Sequence, residues 1–315
     1  MDMTEQKNDF GVGSVEQNII RMAVPMTVAQ ILNLLYNLVD RMYIGHIPGA
    51  SSLALIGVGI TFPIISMITA FANLFGMGGA PLCSMARGRR DYDAAKRYMQ
   101  NAFWMLLAAG VVLTVTGYVI EKPLLYALGA SSVTYPYASS YLRIYLLGNM
   151  FVMVGIGMNP FINAQGFGTM GMVTVGLGAL VNIILDPLFI FVFHMGVEGA
   201  AIATIIAQFL SALWVLFFLT GEKPDLRLKI CWRKPEFTVV KEIVSLGLSN
   251  FFMLFTNSLV QVVCNRQLQL YGGDLYVGVM TVLISVRDVA TMVVNGITSG
   301  AQPVISFNYG AQKKD

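Results

Sequence analysis

The feature that most constrains this chain is a series of apolar runs too long for a soluble fold. Eight of them occur, at about 19–45, 52–85, 99–120, 136–162, 169–193, 197–219, 239–271 and 276–308. A helix needs about 20 apolar residues to cross a bilayer. In lipid each backbone N–H and C=O must be satisfied inside its own segment, so runs of this length fold as helices. Only 12% of the 315 residues are charged and the mean hydropathy is +0.67, whereas soluble domains carry about 25% charged residues. The expected fold is an all-α polytopic membrane protein. Runs 52–85, 239–271 and 276–308 exceed what the bilayer requires and are expected to tilt or to project beyond it.

Charge sets the orientation. Lys7 and Arg21 precede or open the first run. Arg87, Arg89, Arg90, Lys96 and Arg97 lie between the second and third. Lys223, Arg227, Lys229, Arg233, Lys234 and Lys241 lie between the sixth and seventh, and Lys313 and Lys314 follow the eighth. Only Lys122 falls in a loop on the other side. The positive-inside rule then places both termini in the cytoplasm, as an even number of spans requires, in a multi-pass inner (plasma) membrane protein. The polar N-terminal segment lacks a signal-peptide pattern, so the first run itself is expected to drive insertion.

The chain repeats itself. Residues 32–49 align with 256–273 at an offset of 224, pairing Asn33 with Asn257 and Gly49 with Gly273. The end of the second run aligns with the end of the eighth at an offset of 222, pairing Gly78 with Gly300, Pro81 with Pro303 and Gly88 with Gly310. Glycine and proline match, not only the apolar residues that any two such helices share. Parallel repeats of this kind mark transporters. They divide the chain into a six-helix unit over 1–220, a cytoplasmic linker over 221–238, and the first two helices of a second unit over 239–315. The pattern predicts eight helices of twelve, with four missing after the eighth.

Few groups inside the runs can carry chemistry. Asn182 and Asp186 stand four residues apart, on one helical face. Pro187 follows them and frees the carbonyl of Ile183. An acid in such surroundings is costly and usually faces a bundle interior or a cavity. At about 1.5 Å per residue, Asp40 lies about 8 Å from the outer end of its run, Tyr141 about 8 Å, and Asp186 and Thr204 about 10 Å, with Asn182 deeper at about 16 Å. That agreement in depth comes from topology alone and is consistent with a shared polar pocket. Blander readings stand beside it. Asp40 could pair with Arg41 or snorkel, Tyr141 and Thr204 could bond to helix backbone, and Arg287–Asp288 could be a structural pair. Arg143 and Arg266, near outer ends, are read as snorkelling. Pro25, Pro63, Pro81, Pro160 and Pro187 either permit motion or fix static kinks. Cys83, Cys231 and Cys264 show no metal-ligand spacing and read as packing residues. His46 and His194 read as interfacial. No enzyme motif or cofactor fingerprint is present, and nothing points to nucleic acid.

At these residues the chain resembles the multidrug and toxic compound extrusion (MATE) family. Its marks are P-x14-D-R-x-Y-I-G from Pro25 to Gly45, G-x-x-P-L-x-x-x-x-R-G from Gly78 to Gly88, the Tyr141-Leu-Arg-Ile run, Asn182-Ile-Ile-Leu-Asp-Pro187, and Gly199-Ala-Ala-Ile-Ala-Thr204. Residues 285–311 resemble the bacterial drug-efflux branch. The resemblance implies twelve helices in two six-helix units around a central cavity, and a monomer at full length. It implies that Asp40, Asn182, Asp186 and Thr204, with Tyr141 nearby, form a proton or Na⁺ site, and that the first helix bends around Pro25 as occupancy changes. The position aligned with Asp40 in the second unit is Cys264, which favours coupling through the first unit.

The implied function is an antiporter exporting organic, often cationic and aromatic, drugs or toxins in exchange for H⁺ or Na⁺, with lipid as its other partner and no cofactor. The rivals are a flippase for a lipid-linked precursor, which would favour a basic cavity, a membrane enzyme, and a fragment without transport activity.

Overall fold

A computed structural model describes residues 9–47, 51–230 and 235–313, whose regular structure is entirely helical. The helices are α1 (Val15–Ile44), α2 (Ser51–Gly88), α3 (Tyr92–Ala127), α4 (Tyr135–Leu147), α5 (Asn149–Ala164), α6 (Gly168–Pro187), α7 (Gly196–Thr220) and α8 (Phe237–Gly310). Among the described residues, six helical segments are long and apolar enough to cross a membrane, and seven if the bent pair α4–α5 is one span. That count leaves the eight expected unconfirmed. Lys7, Gly49, Cys231, Arg233, Lys234 and Lys314, and the side chains of Arg266 and Asp288, lie outside the described residues.

Local chemistry sets the helix ends. The Ser14 hydroxyl accepts from the Gln17 amide at 3.2 Å and caps α1. The Asp91 carboxylate does the same for α3 through Ala94, at 2.9 Å. α3 continues past the expected end at 120 because Glu121 is buried and satisfied within the protein. The expected single span 136–162 is two helices meeting at 59°. Gly148 at the joint lies so close to Ile205 of α7 that no side chain fits. Beside it the fully buried Asn149 donates to the carbonyl of Gly110 at 3.0 Å and to the Thr114 hydroxyl at 3.1 Å, both on α3. At the end of α6, Pro187 leads into a wider π-helical turn, Leu188–Val192, the adjustment expected where a proline removes a backbone donor.

Residues 237–310 are assigned to helix throughout, with no separate segment for the loop expected between spans 239–271 and 276–308. The path is nevertheless not straight. A straight helix would separate Ile243 from Phe307 by about 96 Å. Yet the Ile243 carbonyl lies against Gly78 and the Phe307 carbonyl against Gly88, and those glycines are only about 15 Å apart along α2. α8 therefore has two limbs lying side by side, and the chain folds back between them.

The limbs cover α1 and α2, and α1 also packs on α6 while α2 packs on α3 and α5. At the end of the bundle where the α2–α3 turn lies, residues 221–230 are fastened down. The backbone amide of Leu226 donates to Gln165 Oε1 at 2.8 Å. Arg87, 4% exposed, donates to the Ala164 carbonyl at 2.7 Å and to Asp225 at 2.8 Å. The segment expected as a linker is thus tied to the ends of α2 and α5.

Candidate coupling site and cavity

Four helices converge on one polar cluster. On α6, Asn182 and Asp186 are both buried, and Asn182 Nδ2 donates to Asp186 Oδ1 at 3.2 Å. The same Nδ2 reaches Thr204 Oγ1 on α7 at 3.4 Å, while the Thr204 hydroxyl donates to the Ala200 carbonyl at 3.0 Å. Asp40 approaches from α1, its carboxyl within hydrogen-bonding range of the Asp186 carboxyl. Tyr141 of α4 is buried within interaction range of Thr204 and Asp40, and its ring stacks on Tyr145 at 6.3 Å. The structure thus brings together Asp40, Tyr141, Asn182, Asp186 and Thr204. It does not bring Pro25 there. Pro25 lies inside α1 against Gly168, fifteen residues and about 22 Å from Asp40.

Tyr36 also faces the two acids. Sequence reasoning passed it over, although its position one turn before Asp40 was the available signal. Arg41 does not close onto Asp40 as an ion pair but lies over the Phe62 ring, 4.9 Å from its centroid. Sequence reasoning also missed Glu121, a buried acid on α3. It accepts from Arg143 Nε at 2.8 Å and from the Ser139 hydroxyl, with the Tyr135 hydroxyl at 3.4 Å. Arg143 is therefore paired rather than simply snorkelling. The ring of His46 bonds to the Met42 carbonyl at 2.7 Å, at the end of α1.

The cluster has spare oxygens. Among the described residues, none donates a hydrogen bond to the buried Asp40 Oδ1, Asp186 Oδ2 or Asn182 Oδ1. Orphaned buried acceptors cost about 1–3 kcal/mol each, and two carboxylates this close repel unless a proton or cation lies between them. An all-oxygen set of this kind fits H⁺ or a hard cation such as Na⁺ rather than a soft metal.

Beside the cluster lies a cavity of about 540 Å³, the size of small-molecule sites. α1, α2, α5, α6, α7 and both limbs of α8 line it, with Asn250 and Asn295 representing the two limbs. Tyr36, Asn182 and Thr204 belong to the cluster and to the cavity wall, but Asp40 and Asp186 are not in that wall. Among the described residues, ten lining ones are Asn or Gln, and none is Asp, Glu, Lys, Arg or His.

An all-helical bundle of membrane-crossing length, with a buried acid pair and a cavity sharing one wall, defines a multi-pass membrane transporter. The chain belongs to the MatE family, whose model matches residues 25–188. It is 27% identical to the Multidrug export protein MepA of Staphylococcus haemolyticus over 98% of this chain and 68% of that protein. Identity to MepA of Staphylococcus aureus is 26% over the same shares. Among solved structures, the outward-facing conformation of a multidrug resistance MATE family transporter of the MOP superfamily superposes with a TM-score of 0.89 at 25% identity, covering 99% of this chain and 68% of that one. MATE crystal structures in the straight and bent conformations give TM-scores of 0.89 and 0.88 at 24% identity, with the same coverage, and so report the fold.

Proposed function

We propose that this protein is a multidrug efflux transporter that exports organic, often cationic and aromatic, compounds in exchange for H⁺ or Na⁺ taken up at Asp40 and Asp186. The observation that carries this reading is the shared wall. Tyr36, Asn182 and Thr204 touch both the acid cluster and the cavity, so occupancy of one bears on the other. The basic end of the bundle faces the cytoplasm of the inner membrane. The ion enters from outside, the cavity yields its compound outward, and each charge moved inward gains about 2.3 kcal/mol per 100 mV of membrane potential. A lipid-phosphate cargo finds no basic side chain in the described wall.

The test is efflux of a fluorescent cationic dye from vesicles holding the intact protein, with the pH and Na⁺ gradients collapsed in turn. One collapse should abolish export, and Asp40→Asn and Asp186→Asn should each reduce it to background. Gradient-driven efflux at wild-type rate in both variants would sink the coupling role.

A further inference from the structure

A short stretch, Asp9-Phe10-Gly11-Val12-Gly13-Ser14, leads into α1. Segments ahead of a first helix are loose unless something ties them down. This one is tied by side chain and backbone alike. The Asp9 carboxylate accepts from the Gly11 amide at 2.8 Å and the Asp9 carbonyl from the Val12 amide at 3.3 Å, which makes a tight turn. Gly13, at φ +82°, then redirects the chain into α1. The turn aims Phe10 inward, where it is 1% exposed. It clusters with Met22 of α1 and with Val304 and Phe307 of the second limb of α8, apart from the main core. The Phe10 and Phe307 rings meet edge to face, 5.8 Å between centroids. Polar ties follow the same path. The Phe10 carbonyl accepts from Asn18 Nδ2 of α1 and from Asn308 Nδ2 of α8, each at 3.4 Å. The Val12 carbonyl accepts from Asn18 Nδ2 at 3.0 Å, and the Gly11 carbonyl from Lys313 Nζ at 2.7 Å.

This segment bridges a seam. At the basic end of the bundle the second limb of α8 meets α1 and α2 through backbone pressed on backbone. Gly300 abuts Ala23 and Gly296 abuts Thr27, while Gly88 abuts Phe307 and Gly310 abuts Met85. The Ser84 hydroxyl donates to the Pro303 carbonyl across the same seam at 2.7 Å. The cavity lies directly above. Met26 and Pro81 are in its wall, and Ala23 and Ser84 stand one turn nearer the basic end of the same helices. Pro303 belongs to both wall and seam. The seam is therefore the floor of the cavity. Glycine contacts let two helices approach closely but interlock little, so a surface of this kind parts without side chains being drawn out of pockets. Phe10 is a side chain that does sit in a pocket, and the pocket is built from both sides of the seam.

We propose that residues 9–13 are a strap that holds the cavity floor shut, with Phe10 as its catch. The seam opens to the basic end when Phe10 leaves Met22, Val304 and Phe307, and closes when it returns. The proposal goes beyond the efflux reading, which needs this end to open in turn but names nothing that holds it. Exposing a buried phenylalanine opposes opening, and the bonds from Asn308 and Lys313 add to that opposition. Shortening the catch removes the penalty from the open form and leaves the cavity wall and the acid cluster untouched.

Two neighbouring thiols read the movement. Ser84 is fully buried in the seam, and Cys83 beside it is fully buried in the main core. The experiment follows labelling by a membrane-impermeant maleimide in inside-out vesicles holding the intact protein, with Cys231→Ser and Cys264→Ser throughout. The seam reporter is Ser84→Cys with Cys83→Ala, and the core reporter is Cys83 with Ser84 kept. Phe10→Ala is expected to speed labelling of the seam reporter about tenfold or more, the factor set by burial of one phenylalanine. The core reporter is expected to stay protected, and Phe10→Leu to restore most of the seam's protection. Lys313→Ala, at an exposed residue, is expected to speed the seam reporter a few-fold, the value of one hydrogen bond. Unchanged seam labelling in Phe10→Ala or in Lys313→Ala would overturn the strap. So would an equal rise in both reporters, which would mean general loosening. The expected labelling in a protein that exports no dye would uphold the strap and remove the efflux reading.

Discussion

Gly310 lies against Met85 as Gly88 lies against Phe307, and each glycine leaves no room for a side chain. The pairing is reciprocal, because 88 and 310, and 85 and 307, are both 222 apart, the offset of the sequence repeat. The same holds deeper in the bundle. Gly78 of α2 abuts Gly247 of α8, and Gly300 of α8 abuts Ala23 of α1. A match between two stretches of sequence has become a contact between them, related by an approximate two-fold.

Gly88→Leu and Gly310→Leu should therefore destabilise the protein to a similar degree. Each forces a side chain into backbone, and overpacking of a close contact costs about 1–3 kcal/mol. Thermal unfolding in detergent checks this. A large loss from one and none from the other would mean the crossing is not reciprocal.

The Arg87–Asp225 pair joins a buried cation to an acid that is 44% exposed. Removing the exposed partner leaves the buried charge without its counter-ion, whereas removing the buried one leaves a carboxylate that water can solvate. Asp225→Asn is expected to lower the melting temperature more than Arg87→Gln. The reverse order would show that Arg87 matters mainly through Ala164 and its packing on Phe307.

Near the C-terminal end of α3, Glu121 is the buried member and the Arg143 side chain is 58% exposed. By the same reasoning, Arg143→Gln should cost more than Glu121→Gln, because a Gln at 121 still accepts from Ser139. Glu121→Leu should exceed both, since Ser139 is itself buried and would lose its acceptor. Chemical or thermal unfolding of the three variants gives the order directly.

Asn149 stitches the α4–α5 joint to α3. Asn149→Leu is expected to cost about 1–3 kcal/mol, the value of the two buried hydrogen bonds to Gly110 and Thr114. It should also loosen the placement of Tyr141, eight residues earlier, which amide hydrogen exchange in α4 would report. Unchanged exchange there would show that α4 is positioned by other contacts.

Much of the site was readable in one dimension. Asn182 and Asp186 share a face because a helix has 3.6 residues per turn, and the depths of Asp40, Tyr141 and Thr204 agreed because the bilayer fixes where each helix starts. Tyr36 followed from the same spacing rule and was missed only because a tyrosine in an apolar run looks like packing. Glu121 was missed for a different reason. It lies beside Lys122, at what looks like a helix end, and its burial depends on Arg143, Ser139 and Tyr135 of a separate helix.

The sequence by itself determined that the chain is helical, that it crosses a membrane several times, and that its first and last pairs of long helices repeat one pattern. These are consequences of periodicity, apolar length and the cost of a bare backbone in lipid, which act locally. Tertiary structure alone decided that span 136–162 breaks at Gly148 and that segment 221–230 is tied down by Arg87. It alone decided that Asn182 bonds to both Asp186 and Thr204 while also lining the cavity. Those outcomes depend on which backbones approach closely and which polar atoms find partners on other helices, and no spacing within a single helix carries that information.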